Sequence, residues 1–381
     1  MTSPLSRVYG TLLVVRPPVP ATVNKAGANY KSEVTHLEYS PRRAYDEWLS
    51  ICEGILACGG DALFEFEPVD EPLLDRGDLR VEADGAIRPV GSSAVLGRMD
   101  EIHTGRVFTA NGPWVVVAGR TLRGAMPNML PHRRTEAAYY RDLFGRIAEL
   151  GGYDLDLRDT PDRWEGMADV AVVGDRVVLT YAVPGHYDAG MAAKTPRSSR
   201  EGVSFAADTA GVPESARIYA ELVYPHFHGD TVHFGARPGG RPPVLMHYPG
   251  GVWGDGAAHI AQELGADRVI TIGRDDAVEA YAGNSRQVGG GVLVPDGVSA
   301  AYTDTLAGMG LEVHPVPLYE LFGKAGGGPA CATLYLPADL SIPADAPCRY
   351  SVRRAEAHER RDRLPERLEV DPAYFAGKTR G

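Results

Sequence analysis

Cys331 ends the run Gly326-Gly327-Gly328-Pro329-Ala330, about a hundred residues after Pro225-His226-Phe227-His228-Gly229-Asp230. Only a thiolate attacks, and a free thiol with a pKa of about 8.5 is mostly protonated near neutrality, so a nucleophilic cysteine needs a base brought close by the fold. His228 is the candidate base. The glycines before Cys331 predict an accessible thiol surrounded by backbone N–H groups. Asp230, two residues after His228, is expected on the same strand face. Glu165-Gly166-Met167-Ala168-Asp169 adds two carboxylates, and Phe108-Thr109-Ala110-Asn111 adds a side-chain amide. This inventory is that of covalent catalysis with general acid–base assistance. A second chemistry is open at the histidines: His226, His228 and His233 could ligate zinc, although odd spacing turns His233 away from His228 on a strand.

Five similar units are placed to position these residues. In each, an amphipathic helix stops at glycine and leads into an apolar strand, the glycine supplying a left-handed cap. The helices cover about Pro41 to Cys58, Arg134 to Leu150, Ser198 to Ala210, Gly256 to Leu264 and Ser299 to Met309. Hairpins are predicted between them, for example Val107-Phe108 with Trp114–Val117, and Asp169–Val173 turning at Gly174-Asp175 into Arg176–Leu179. Repeats of hairpin, helix and returning strand suggest a ring of α/β modules around a pocket. The same alternation also fits a doubly wound sheet, so periodicity leaves both open. Residues 1–345 read as one catalytic domain and 346–381 as a charged tail.

At 381 residues and 44% hydrophobic, the chain can bury a large core. No stretch approaches the roughly 20 apolar residues of a membrane span, and the first twenty residues lack a secretory pattern, so cytoplasm is the expected location. The four cysteines, Cys52, Cys58, Cys331 and Cys348, have no paired spacing and predict neither a disulfide framework nor a Cys-x-x-Cys zinc site. A net charge of −11 without a basic block argues against nucleic acid and anionic membranes as partners. An acidic protein can still hold a cationic small substrate, such as a guanidinium, in a pocket.

In this order, Phe108–Asn111, Glu165–Asp169, His228-Gly229-Asp230 and the glycine-preceded Cys331 resemble the guanidino-modifying enzymes. These are the arginine deiminases, arginine dihydrolases, dimethylarginine hydrolases and amidinotransferases of the five-bladed α/β-propeller, or pentein, fold. The resemblance covers roughly Val107 to Leu336. It implies cleavage of a C–N bond of arginine, or of an arginine-like guanidino compound, through an amidino-thioether on Cys331, without metal or organic cofactor. His228 would be the acid–base, with Glu165 or Asp169 as the catalytic carboxylate. Deiminases carry Glu-Gly-Gly-Asp, one residue shorter, so the motif leaves that choice open. Asp230 and Asn111 would bind the guanidinium, and Arg197, with Arg200 as its rival, the substrate carboxylate. Asn111 replaces the aspartate of deiminases and is similar to the dihydrolase branch, which favours hydrolysis. Met126-Pro127, Arg133-Arg134 and Glu136 suit an amidinotransferase equally, so transfer to an amine acceptor is the alternative. Asn24–Tyr30 is expected to form a substrate-covering loop. The resemblance also includes non-catalytic binding proteins of this fold, which would not need these side chains together. A homo-oligomer is left open.

Overall fold

The computed structural model describes residues 4–18, 38–64, 79–81, 86–89, 107–130, 133, 136–187, 197–324, 326–364 and 366–369. The segment Asn24–Tyr30 lies outside the described residues. All five predicted helices form, as Pro41–Ala57, Glu136–Gly151, Arg200–Thr209, Gly256–Leu264 and Ala300–Gly308. Local chemistry fixes several starts. Ser40, Ser199 and Ser299 accept the N–H of Arg43, Gly202 and Tyr302 at 3.1, 3.1 and 3.2 Å, and Pro41 pre-sets the first turn. The glycine after each helix has positive φ, from 68° at Gly152 to 92° at Gly265, a region that other residues enter at a cost.

Each helix connects two parallel strands, and a third strand pairs antiparallel with the first of these. The sheets comprise Trp114–Ala118, Thr121–Met126 and Asp154–Asp159; Val170–Val173, Arg176–Tyr181 and Arg217–Glu221; His233–Ala236, Val244–His247 and Val269–Thr271; and Arg286–Val288, Gly291–Pro295 and Glu312–Val316. The fifth is assembled from both ends of the chain. Leu12–Val14 runs parallel to Asp61–Leu63 and antiparallel to Leu334–Tyr335, with Leu13 opposite Tyr335. A separate four-stranded sheet joins Glu38–Tyr39, Arg367–Glu369, Ala86–Pro89 and Leu79–Val81.

Hydrophobic clusters are shared between neighbouring sheets. Leu13 and Trp48 pack in one cluster with Val288 and Val316, Val14 with Trp114 and Val172, Val178 with Leu245, and Met246 with Val292. Trp48 is fully buried and meets Tyr45 and Phe64 at ring-centroid distances of 5.0 and 5.4 Å. Each fully buried large apolar side chain contributes about 1.5–3 kcal/mol, so docking the sheets on one another dominates assembly. Within 346–381, Tyr350–Asp362 is a helix whose buried Tyr350 joins the Trp48 cluster. Its Arg361 pairs with Asp46 at 2.6 Å. Among the described residues, no helix is long and apolar enough to cross a membrane.

Two local expectations are corrected. Val107-Phe108 is not a hairpin strand, because Thr109–Asn111 turns immediately as a 3₁₀ helix and Trp114–Ala118 pairs with Thr121–Met126 instead. His228 and Asp230 are not on a strand either. His228 caps the 3₁₀ turn Gly229–Thr231, which contains Asp230, and the strand begins at His233. The Val170–Val173 hairpin forms in the expected register, Val173 opposite Arg176.

Candidate active site

A short turn precedes the antiparallel-paired strand of each three-stranded sheet, and four of these five turns carry polar residues singled out above. Four are 3₁₀ turns: Thr109–Asn111, Gly166–Asp169, Gly229–Thr231 and Ala282–Asn284. The fifth holds Cys331, just before Leu334–Tyr335. The turns pack against one another in sequence, first on second, second on third, third on fourth. Glycine permits the closeness: a Cβ at Gly166 would stand 2.3 Å from the Asn111 backbone, and one at Gly283 would stand 2.9 Å from that of Thr231.

His228 and Glu165 form the first pair. His228 Nε2 lies 2.9 Å from Glu165 Oε2. An ionised carboxylate only accepts, so Nε2 carries the proton of this bond, leaving Nδ1 as the other functional nitrogen. Glu165 is fully buried; its Oε2 also accepts from Arg197 Nη1 at 3.2 Å and its Oε1 from the Leu130 N–H at 3.2 Å. Burial opposes ionisation, but Arg197, the His228 hydrogen bond and Arg133 outweigh it and hold the Glu165 carboxyl well below the usual range.

Asn111 is clamped beside this pair. Its Oδ1 accepts from Arg133 Nη1 at 2.7 Å, its Nδ2 donates to the Glu165 carbonyl at 2.8 Å, and that nitrogen stands 3.4 Å from His228 Nε2. Arg133 is in turn held by both oxygens of buried Glu136, at 2.7 and 2.8 Å. Asp169 serves a different neighbourhood. It accepts from Thr180 Oγ1 at 2.7 Å, the Gly229 N–H at 2.9 Å and Ser198 Oγ at 2.5 Å. Burial raises its pKa despite these bonds.

Cys331 and Asp230 form the second pair. The thiol donates to Asp230 Oδ2 at 3.2 Å, while Asp230 Oδ1 is buried without a hydrogen-bond partner among the described residues. Burial raises the pKa of Asp230, and burial together with the Asp230 charge pushes the Cys331 thiol up. A cavity of about 30 Å³ is lined by Asp230, Ala330, His233 and Tyr335. The open thiol predicted from the glycine run is corrected, for Cys331 is only 4% exposed. The glycines serve packing: a Cβ at Gly327 would fall 2.1 Å from the Phe108 ring.

Comparison with solved structures places this architecture. The N-terminal domain of ArgZ, an arginine dihydrolase from the ornithine-ammonia cycle in cyanobacteria, was solved as a cysteine-to-serine variant bound to substrate. It superposes with TM-score 0.61 at 20% identity, covering 86% of this chain and 97% of that one. AgrE in complex with ornithine and NAD⁺ gives TM-score 0.60 at 20% identity over 88% of this chain, which spans 40% of AgrE. A dimethylarginine dimethylaminohydrolase, solved as a histidine-to-glycine variant adduct with S-methyl-L-thiocitrulline, gives TM-score 0.57 at 15% identity over 86% of this chain and 100% of that one. The chain has the fold of the guanidino-modifying enzymes. No protein-family model matches it, and no curated protein matches it by sequence.

Within this pentein-type fold, Asn111, Glu165 and His228 come together, as do Asp230 and Cys331. Arg197 bonds Glu165, whereas Arg200 lies over the Tyr219 ring, 4.7 Å from its centroid. The three histidines of the zinc alternative do not share one centre. His226 bonds Thr231, His233 faces His247 at 3.3 Å, and among the described residues no three His, Cys, Asp or Glu side chains are grouped to hold a metal. One participant escaped sequence reasoning. Asn284 Nδ2 donates to Cys331 Sγ at 3.0 Å, and its Oδ1 accepts the Cys331 N–H at 3.0 Å. The available signal was positional: Asn284 precedes the strand of the fourth unit as Asn111, Asp169 and Asp230 precede theirs.

Proposed function

We propose that this chain is a guanidino-group hydrolase acting on arginine, or an arginine-like guanidino compound, through a covalent amidino-thioether on Cys331. The observation that carries this reading is the buried Asp230 carboxylate, bonded to the Cys331 thiol through one oxygen and unpartnered at the other. An unpaired buried carboxylate oxygen is costly, and a planar cation offering paired N–H donors would satisfy it while presenting its carbon to the adjacent sulfur. The five sheets, with clusters shared between neighbours and a fifth sheet built from both chain ends, support a five-bladed propeller with the turns at its centre. The arginine dihydrolase and dimethylarginine hydrolase activities named for ArgZ and dimethylarginine dimethylaminohydrolase support the same substrate class.

As the cation seats on Asp230, His228 takes the thiol proton and Sγ attacks the guanidinium carbon, forming a C–S bond. His228 returns that proton to the departing nitrogen, the C–N bond breaks, and the amidino-thioether remains. His228 then removes a proton from water, whose oxygen attacks the same carbon. The C–S bond breaks and the sulfur recovers its proton from the imidazolium. Glu165 takes the catalytic-carboxylate role, since it holds Nε2, and Asp169 acts as framework. Asn111 and Arg133 fix the position of that pair. Arg197 holds Glu165 ionised and is the candidate for a substrate carboxylate.

Incubation with arginine alone, followed by assays for ammonia, citrulline and ornithine, tests this reading. Release of any of these by the wild-type chain and not by Cys331→Ala supports it. Product formed only when an amine acceptor is added would replace hydrolysis by amidino transfer, and no turnover of any guanidino compound would overturn it.

A further inference from the structure

We propose that Asn284, in the fourth turn, is the positioning residue of the Cys331 nucleophile, holding its sulfur and its backbone together and stabilising the thiolate by donating to it. The inference rests on the reading of Cys331 as nucleophile given above. Every hydrogen-bonding atom of the Asn284 amide is committed to this junction. Oδ1 accepts the Cys331 N–H at 3.0 Å, while Nδ2 donates to Cys331 Sγ and to the Asp230 carbonyl, each at 3.0 Å. The Asn284 carbonyl also accepts the Ala330 N–H at 3.0 Å. A carboxamide has two donors and a carbonyl acceptor, so one side chain here ties Cys331 to the turn that carries Asp230.

Two features show that the surroundings are shaped around this amide. Tyr281, which opens the turn Ala282–Asn284, has φ 57° and ψ 42°, and among the described residues it is the one non-glycine residue with positive φ. A bulky aromatic in the left-handed region is strained, and such strain persists where the surroundings over-determine it, often at functional sites. Gly328 leaves room for the amide: a Cβ there would stand 2.8 Å from Asn284 Oδ1.

The charges around the sulfur make a donor consequential. Asp230 Oδ2 faces Sγ at 3.2 Å and opposes a thiolate, as does burial, whereas Asn284 and the Gly328 N–H favour it. His228 and Arg286 act on Asp230, and Arg286 Nη2 is anchored on the Ala330 carbonyl at 2.6 Å. Asn284 is thus the side chain that offers the sulfur a hydrogen bond without adding negative charge.

The test is an ultraviolet thiolate titration of Asn284→Ala and Asn284→Leu, each corrected by its Cys331→Ala counterpart, together with kcat and KM on the guanidino substrate. Asn284→Leu is similar in shape and neutral and carries no donor, so it decides the matter if Asn284→Ala fails to fold. The expected result is a titration midpoint of Cys331 raised by about one unit or more, with kcat reduced about 10- to 100-fold and KM changed far less. A folded variant with the wild-type midpoint would overturn the proposal. The titration needs no substrate, so its outcome stands apart from the proposed activity. Absence of turnover in the wild-type chain counts against that activity alone.

Discussion

Glu165 and His228 meet at 2.9 Å across 63 residues of sequence, in a buried pair that also engages Arg197. Removing the carboxylate would take from Arg197 the oxygen it bonds and from His228 Nε2 its charged acceptor. Glu165→Gln is therefore expected to lose about 3–5 kcal/mol of stability and to reduce kcat by about 100-fold or more. Urea unfolding and steady-state kinetics check the two effects separately. Asp169→Asn, at a carboxylate bonded to Ser198, Thr180 and Gly229, should lower stability with a smaller effect on turnover.

Asp230→Asn and Cys331→Ser should separate binding from chemistry. With Cys331→Ser, guanidino ligands still bind in calorimetry while turnover is abolished. With Asp230→Asn, affinity itself should fall by about 10- to 100-fold, the loss of a charged hydrogen bond of about 1.5–3 kcal/mol. Equal binding by wild type and Asp230→Asn would remove Asp230 from the cation site.

Acid sensitivity should come partly from histidines outside the His228–Glu165 pair. Burial lowers His226 and His247 from 6.5 to about 4, and lowers His233 well below 6.5. Such rings bind protons more readily in the unfolded chain, so the stability that depends on their neutrality is full above 6.5 and declines as pH falls toward 4. Asp169 and Asp230, raised by burial, work in the opposite sense as pH rises through their folded values. A His247→Gln comparison isolates the first effect. Its unfolding free energy, measured from pH 7 to pH 4.5, should fall less steeply than that of the wild type, by up to about 1.4 kcal/mol per unit of pH.

Glycines at the turns and at the helix ends should respond differently to alanine. Gly166 has φ 83° and no space for a Cβ, which would lie 2.3 Å from the Asn111 backbone, so Gly166→Ala should cost several kcal/mol and disrupt activity. Gly211, with φ 72° and nothing within 4 Å, should tolerate alanine for about 1 kcal/mol with activity retained. Thermal unfolding and turnover of the two variants provide the comparison.

Helices were the most legible part of the sequence. Gly256–Leu264 was read to its ends, and the other four differ by one to two residues, because apolar period and glycine stop are local signals. The turns were less legible. Periodicity assigned Val107-Phe108 and the His228–Asp230 segment to strands, but their conformation follows from close packing of adjacent turns, as Gly166 and Gly283 illustrate, and no local pattern encodes that contact. Candidate site residues were found by chemical type, so Asn284, an uncharged amide with no motif around it, passed unnoticed. The burial of Cys331 was hidden for a related reason: a glycine run has the same sequence whether it opens a site or admits the Phe108 ring.

The strand Leu334–Tyr335 completes the sheet begun by Leu12–Val14, only three residues after Cys331. During synthesis His228, Glu165 and Asp230 would therefore all emerge well ahead of Cys331. A nascent chain that has made the first four turns would still lack the thiol, which arrives together with the strand that closes the sheet of Leu12–Val14.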